Sequence, residues 1–213
     1  MVTMSERVVV YFDYLCPYSW RLAELIALAG TAVRAEWRHV SVFQLEHDAK
    51  CRYGACPESA RWQLWNAPID PEDGSGAKGL LPFLASVAAR AQGQAAHDRF
   101  RLGLLRAAHL EGRPLDRDTA GDVARTAGLH MPRFWRDLDN PENRTALAHE
   151  HRLAVAAEVT STPSVVFPGS HVAHVRFKGL PAATPEALGL VAAAFGLAPA
   201  AVAATVRPAA ELN

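Results

Sequence analysis

Residues 7–20 read RVVVYFDYLCPYSW, and this stretch decides the fold. Its first six residues form a short β-branched and aromatic run, which is typical of a buried strand. The continuation SWRLAELIALAG has the composition of a helix and ends at Gly30, a common stop residue. The sequence therefore predicts a strand that passes directly into a helix at Cys16 and Pro17.

A second strand is predicted over residues 33–43, VRAEWRHVSVF, with Trp37 and His39 on one face. A strand, a helix and a strand at this spacing form a βαβ unit with parallel strands. From residue 47 to 80 the chain is rich in turn formers. Helical patterns follow near 81–92, 95–110, 117–127, 132–138 and 141–159, then strands SVVF and HVRFKG around a Pro-Gly-Ser turn, and a last helix beginning at Thr184.

This order places a helical block between two parts of one α/β domain, because neither part has enough sheet to bury alone. We therefore expect an α/β fold with an inserted all-helical domain. The expected boundaries are residues 1–56 and 158–213 for the discontinuous α/β domain, and residues 57–157 for the insertion.

The composition excludes several classes of protein. The chain has 213 residues, and 22 Lys and Arg balance 22 Asp and Glu, which argues against an electrostatic nucleic-acid binder. No apolar run approaches the roughly 20 residues of a membrane helix. The N terminus lacks the pattern of a secretory signal, so we expect a cytoplasmic protein without a membrane partner. The abundance of Ala and Arg is typical of a GC-rich bacterial source.

Cys16 has the clearest chemical setting in the chain. It follows a strand and precedes a helix, whose N terminus carries about half a positive charge and several unpaired N–H groups. These groups stabilise a thiolate, the nucleophilic form of cysteine. Position alone leaves open the alternative that Cys16 is a small buried apolar residue.

The segment YFDYLCPYSW, residues 11–20, resembles the active-site segment of the DsbA-like branch of the thioredoxin superfamily, where a strand ends in D-x-x-C-P-x-C or a C-P-x-S variant. Residues 81–115 are similar to the helical insert of FrnE-like members. TSTPSVVF, residues 160–167, resembles the cis-proline loop that faces the active-site cysteine. The resemblance covers nearly the whole chain, and it implies a thioredoxin-like fold with an inserted all-helical domain.

The resemblance implies a thiol–disulfide oxidoreductase in which Cys16 is the nucleophile. It also implies a cis Pro163, with Thr162 presenting its backbone to a thiol or disulfide substrate, a protein or a small molecule. Pro17 and Tyr18 flank the thiol and are expected to contact the substrate.

The second motif position departs from the redox pattern because Ser19 replaces a cysteine. A serine cannot resolve a mixed disulfide, so we expect Ser19 to donate a hydrogen bond to the thiolate. Glutathione or another low-molecular-weight thiol would then complete the reaction, with no tightly bound cofactor.

Cys51 and Cys56 are the other two cysteines. An odd number in a reducing compartment argues against a structural disulfide framework. Since parallel strands end at the same edge, the chain after Phe43 starts near Cys16, and Cys51 or Cys56 is a candidate resolving cysteine. Two incidental thiols, or a labile disulfide formed in air, are the alternative. A zinc site with His47 lacks a visible fourth ligand, and no metal is expected.

Other functions stay open at this point. Kappa-class glutathione transferases and 2-hydroxychromene-2-carboxylate isomerases resemble this architecture and carry a serine where Cys16 stands, so a thiol-dependent transferase or isomerase is an alternative. A non-catalytic peptide-binding module is a third, and a homodimer is also open.

Two further patterns have a structural and a functional interpretation. Trp62 and Trp65 are interpreted as core residues or as an aromatic wall over Cys16. GSGAKG, residues 74–79, formally fits a nucleotide-binding pattern but follows no strand, so it is interpreted as a loop.

Overall fold

The computed structural model describes residues 8–29, 35–55, 62–69, 79–167 and 171–174, together with Gly169 and Gly189. Within these residues it holds four strands, seven α-helices and a short 3-10 helix at Leu64–Asn66. The strands are β1 (Val8–Phe12), β2 (Ala35–His39), β3 (Ser164–Phe167) and β4 (His171–His174). The helices are α1 (Pro17–Leu28), α2 (Val42–Arg52), α3 (Leu80–Arg90), α4 (Gln94–His109), α5 (Arg117–Thr126), α6 (Met131–Leu138) and α7 (Glu142–Ala156).

The strands form one mixed sheet in the order β2-β1-β3-β4. β1 pairs with β2 in parallel, which confirms the predicted βαβ unit, and β3 pairs antiparallel with β1 and β4. Val10, at the middle of β1, lies opposite Trp37 on one side and Val165 on the other, and all three side chains are buried. The segment quoted first is therefore the central strand, and it carries Cys16 to the edge where β1 ends.

Helix α2 is the largest departure from the sequence-based assignment. A strand was expected through residue 43 and an irregular segment from residue 47, but β2 ends at His39 and a helix occupies residues 42–52. The apolar alternation of VSVF suggested a strand. Local capping outweighs it, because the Ser41 hydroxyl accepts a hydrogen bond from Gln44 N at 3.3 Å, as an N-cap does.

The helical block agrees closely with its prediction. Helices α3 to α7 begin and end within about three residues of the expected spans, and they separate β2 from β3 in the chain. This confirms the α/β fold with a helical insertion, while the domain boundaries stay a prediction. β4 begins at His171, earlier than the expected HVRFKG strand, and the rest of that strand and the last helix lie outside the described residues. In the described part of the chain, no helix has the length and apolar character needed to cross a bilayer.

A polar network lies buried where α3, α4 and α7 meet the end of β2. Glu150 Oε2 accepts a hydrogen bond from His39 N at 2.7 Å and contacts His39 Nδ1 at 2.7 Å. Its Oε1 atom lies 2.6 Å from the Arg90 guanidinium. His39 Nε2 forms a hydrogen bond with Ser86 Oγ at 2.8 Å, and Ser86 Oγ forms another with His97 Nε2 at 2.9 Å. One carboxylate therefore joins the sheet to two helices of the block.

A residue just after α7 has an unfavourable backbone conformation. Glu158 has φ of 56°, the left-handed region that favours glycine. We expect Glu158→Gly to raise the free energy of unfolding by about 0.5–1 kcal/mol, because glycine adopts this conformation without steric cost. Urea denaturation measures the change. The matched control is Glu46→Gly within α2, which should lower stability by about 1 kcal/mol; equal losses in both variants would contradict the left-handed assignment.

Candidate active site

Cys16 is the N-cap residue of α1. Its backbone is extended, with φ of −94° and ψ of 113°, and Pro17 follows in the first turn of the helix. The Cys16 carbonyl accepts hydrogen bonds from Ser19 N at 3.0 Å and Trp20 N at 3.3 Å, while the side chain makes no capping bond. The backbone thus performs the capping, and the half-buried sulfur is left for chemistry.

The sulfur of Cys16 meets the loop before β3. Its S–H donates to the Thr162 carbonyl oxygen at 3.3 Å, although the two residues lie 146 positions apart. The Thr162–Pro163 peptide bond is cis, and Pro163 is buried beneath the loop. Three of the residues chosen from the sequence therefore come together at one point.

Ser19 lies one turn further along α1 and is fully buried. Its hydroxyl oxygen accepts a hydrogen bond from Asp13 N at 3.3 Å. Among the described residues, this hydroxyl forms no hydrogen bond with the Cys16 sulfur. The hydroxyl proton is not used by this contact, so hydrogen bonding from Ser19 to a thiolate stays a prediction.

Asp13 is a functional candidate that the sequence analysis missed. It follows β1 directly, and its carboxylate accepts hydrogen bonds from Leu15 N at 2.8 Å and Val42 N at 2.9 Å. It thereby shapes the turn into Cys16 and holds the N terminus of α2. Complete burial raises the pKa of Asp13 to about 6, although both backbone hydrogen bonds act to lower it. An acidic residue between a buried strand and Cys16 was the signal available in the sequence.

The raised pKa of Asp13 predicts a pH dependence of stability. The folded state holds this proton up to about pH 6, whereas the ordinary value is 3.8, so stability falls as pH rises between these values. We expect a loss on the order of 2–3 kcal/mol over this range. Urea denaturation of wild type and Asp13→Asn at several pH values gives the difference in their free energies of unfolding. The contributions of the other carboxyl groups cancel in this difference because both proteins contain them. A difference that stays constant from pH 4 to about 6 would contradict the assignment.

Apolar side chains are exposed next to Cys16 in the chain and at the start of α2. Leu15 and Tyr18, on either side of Cys16, are 37% and 39% exposed. Phe43, in the first turn of α2, is 39% exposed and follows the residue whose N–H binds Asp13. The role of Tyr18 as a substrate contact stays a prediction, and Phe43 lies in a helix where the sequence analysis expected a strand.

Helix α4 fixes the chain just before Cys16. His109 Nε2 donates to the Tyr14 carbonyl oxygen at 2.8 Å, and its ring stacks on Trp20 with centroids 6.0 Å apart. One turn earlier, Arg106 forms a two-point ion pair with Glu24 of α1, at 2.7 and 2.8 Å. No sequence neighbour of Cys16 indicates this support, because it comes from a helix about 90 residues away.

Of the other two cysteines, the structure describes Cys51. Cys16 is a free thiol, whereas Cys51 is disulfide-bonded, so the argument against a structural disulfide does not hold for Cys51 and the alternative that includes a disulfide does. Cys51 is near the end of α2, nine residues beyond Val42, which corresponds to about 13 Å of helix. Cys56 lies outside the described residues. A resolving role for Cys51 or Cys56 stays a prediction.

The structure also shows where Trp62, Trp65 and the described part of the glycine-rich segment lie. Trp62 and Trp65 line a cavity with residues of α2 and α7. Of GSGAKG, only Gly79 is described; it precedes α3 with φ of 88°, and an added Cβ would lie 3.3 Å from Leu15. A glycine is therefore needed there to let the chain turn beside the Cys16 segment.

Comparison with known proteins gives one family. The family model of the DSBA-like thioredoxin domain matches residues 7–182. No match was found among curated protein sequences.

Several solved structures share the architecture. A 2-hydroxychromene-2-carboxylate isomerase matches with a TM-score of 0.61 and 17% identity, over 89% of this chain and 94% of that one. The cytosolic disulfide reductase DsbM from Pseudomonas aeruginosa gives 0.55 and 19%, over 90% and 100%, and it has also been solved with GSH. A probable DsbA oxidoreductase from Streptomyces coelicolor gives 0.58 and 16%, over 90% and 91%. At these identities the likenesses establish a shared fold.

Proposed function

The chain belongs to the family of DsbA-like thioredoxin domains, and from that premise we propose that it is a thiol–disulfide oxidoreductase acting through Cys16 alone. The observation that carries the proposal is the free Cys16 thiol at a helix N terminus, 3.3 Å from the Thr162 carbonyl. A helix N terminus favours the thiolate, and the motif offers no second sulfur because Ser19 stands in its place.

The proposed reaction has two exchange steps. The Cys16 thiolate attacks one sulfur of a substrate disulfide; the new S–S bond forms as the old one breaks, and the second substrate sulfur leaves as a thiolate. A low-molecular-weight thiol then attacks the mixed disulfide as its own thiolate, binds the substrate sulfur, and releases the Cys16 thiolate. One disulfide and one thiol are consumed and one of each is produced, so electrons balance without a redox cofactor.

The residues around the Cys16 sulfur have different proposed roles in substrate binding. Thr162 offers its carbonyl beside the thiol, where an extended substrate backbone can pair with the loop. Pro163 orients that loop, while Pro17 and the exposed Tyr18 border the substrate on the α1 side. Ser19 would donate its unused hydroxyl proton to the thiolate.

Glutathione or a similar thiol is the proposed second substrate, and the cytoplasm is the proposed location. The shared fold with DsbM supports both, since that protein is a cytosolic disulfide reductase solved with GSH. The disulfide bond of Cys51 supports a small thiol, rather than a remote cysteine, as the group that resolves the mixed disulfide, because the Cys51 sulfur is already bonded.

The test is peptide mass mapping after brief treatment with oxidised glutathione. We expect one glutathione on Cys16, released by reduced glutathione. A disulfide joining Cys16 to Cys51 or Cys56 would instead identify a two-cysteine enzyme and overturn the single-cysteine proposal.

A further inference from the structure

A second concave site lies away from Cys16. A cavity of about 480 Å³ opens between α2, the 62–66 segment and the second half of α7. This volume is within the range of small-molecule pockets. Its described lining contains no residue of the Cys16 segment or of the loop at Pro163, so the site is distinct from the proposed active site. We call it the tryptophan pocket, and its lining includes Asp48, Trp62, Trp65, His151 and Arg152.

Two indole rings form the apolar part of the tryptophan pocket. Trp65 packs against the ring of His151 with centroids 5.2 Å apart, and Trp62 packs against His47 at 5.1 Å. Both tryptophans are only partly buried. Indole surface of this kind favours a planar ring, which stacks on it or meets its edge.

The carboxylate in the pocket is already committed. Asp48 Oδ2 lies 2.7 Å from His151 Nε2, and Oδ1 accepts a hydrogen bond from Gln44 Nε2 at 2.7 Å. Gln44 is held in turn, because its Oε1 accepts from Leu64 N at 2.7 Å. A bound cation would therefore have to displace existing partners of Asp48.

Two groups in the same wall have unused capacity. His151 is 6% exposed, and its second ring nitrogen, Nδ1, has no hydrogen-bond partner among the described residues. Buried polar atoms of this kind are rare. Arg152 is exposed at the rim and forms no ion pair within the part of the chain that the structure describes. The charged group of the pocket that has no ion-pair partner among the described residues is therefore a cation, the Arg152 guanidinium.

We propose that the tryptophan pocket binds a small planar aromatic anion. The ring packs against Trp62 and Trp65, and the anionic group pairs with Arg152. A guanidinium suits a carboxylate or sulfonate, whose two oxygens it can bind together. The inference goes beyond the proposed redox function and does not depend on Cys16.

The test uses 1-naphthoate as the probe and 1-naphthalenemethanol as its uncharged counterpart, each titrated calorimetrically into the full chain. We expect saturable naphthoate binding and at least roughly tenfold weaker binding of the alcohol, the loss expected for one charge-assisted hydrogen bond. Arg152→Gln should weaken naphthoate to a similar degree. The matched control is Arg136→Gln, another exposed arginine that does not line the pocket, and it should bind as wild type does.

Indole N–H signals in a ¹⁵N-labelled sample locate the probe. Signals of Trp62 and Trp65 should shift, and those of Trp20 and Trp37 should not. The proposal is overturned by absence of saturable binding, by equal binding of the alcohol, by unchanged affinity in Arg152→Gln, or by shifts confined to Trp20 and Trp37. Cys16→Ser should bind naphthoate normally, so failure of the redox proposal leaves this result unaffected.

Discussion

Replacing Cys16 with serine is expected to lower thiol–disulfide exchange by at least about a thousandfold, because the substitution removes the nucleophile. A serine hydroxyl is not ionised at neutral pH, and it forms no S–S bond. The fold should persist, since the Cys16 side chain makes no capping bond and the backbone carbonyl holds the first turn of α1. Steady-state kcat/KM on a glutathione mixed disulfide of a peptide measures the loss.

Two comparisons decide what the Cys16 result means. A variant with Cys51→Ser and Cys56→Ser should keep the wild-type rate, and a comparable loss would instead assign resolution to a remote cysteine. A glutathione-dependent transferase or isomerase of the serine type should survive Cys16→Ser. The fold shared with 2-hydroxychromene-2-carboxylate isomerase makes this the second candidate function. Retained glutathione-dependent activity in Cys16→Ser would favour it over disulfide exchange.

Among the substitutions considered for stability, removal of Glu150 is expected to lower the free energy of unfolding most. Glu150→Ala leaves the Arg90 guanidinium and His39 without their shared carboxylate; because Arg90 is 31% exposed, we expect a loss near the lower end of the buried-pair range, about 3 kcal/mol. Glu150→Gln keeps an acceptor for His39 N and should lose less, so it remains measurable if the alanine variant fails to fold. Urea denaturation at pH 7 gives both values.

The pH dependence separates the charge of Glu150 from its packing. Burial alone would raise the pKa of Glu150, but its contacts with His39 and Arg90 outweigh burial and lower the pKa from 4.5 to about 2. The stabilisation is therefore present above pH 4.5 and is lost as pH falls towards 2. The advantage of wild type over Glu150→Gln should shrink in that window. The exposed Glu46→Gln should change stability by less than about 1 kcal/mol.

Local sequence patterns predicted most of the fold. The buried run of β1, the helix after Cys16 and the periodic segments of the helical block each satisfy a rule that needs only neighbouring residues. Helix α2 was missed although Ser41 and Gln44 have the spacing of a capping box, because the alternating apolar residues were given more weight; the distant Asp13 carboxylate, which accepts from Val42 N, adds a contact that no local pattern shows. An alternating apolar pattern gives no indication of either contact.

The candidate site was predictable only in part, because some of its contacts join segments that are far apart in the sequence. Cys16 and Pro163 lie in motifs, so their residues could be chosen from the sequence, and the structure brings them to one edge. His109 has no motif. Its contact with the Tyr14 carbonyl depends on how α4 packs against α1, which the ion pair between Arg106 and Glu24 supports from segments far apart in the chain.

The contact between Cys16 and Thr162 links two events at one atom. In the thiol form, the S–H occupies the carbonyl oxygen of Thr162 at 3.3 Å. A thiolate has no proton to give, so ionisation ends this donation and leaves that oxygen facing a negative charge. A carbonyl oxygen has two lone pairs, so ionisation would leave both of them to N–H groups of a substrate backbone. Under the proposed function, the proton loss that makes Cys16 nucleophilic would therefore also free an acceptor for that backbone.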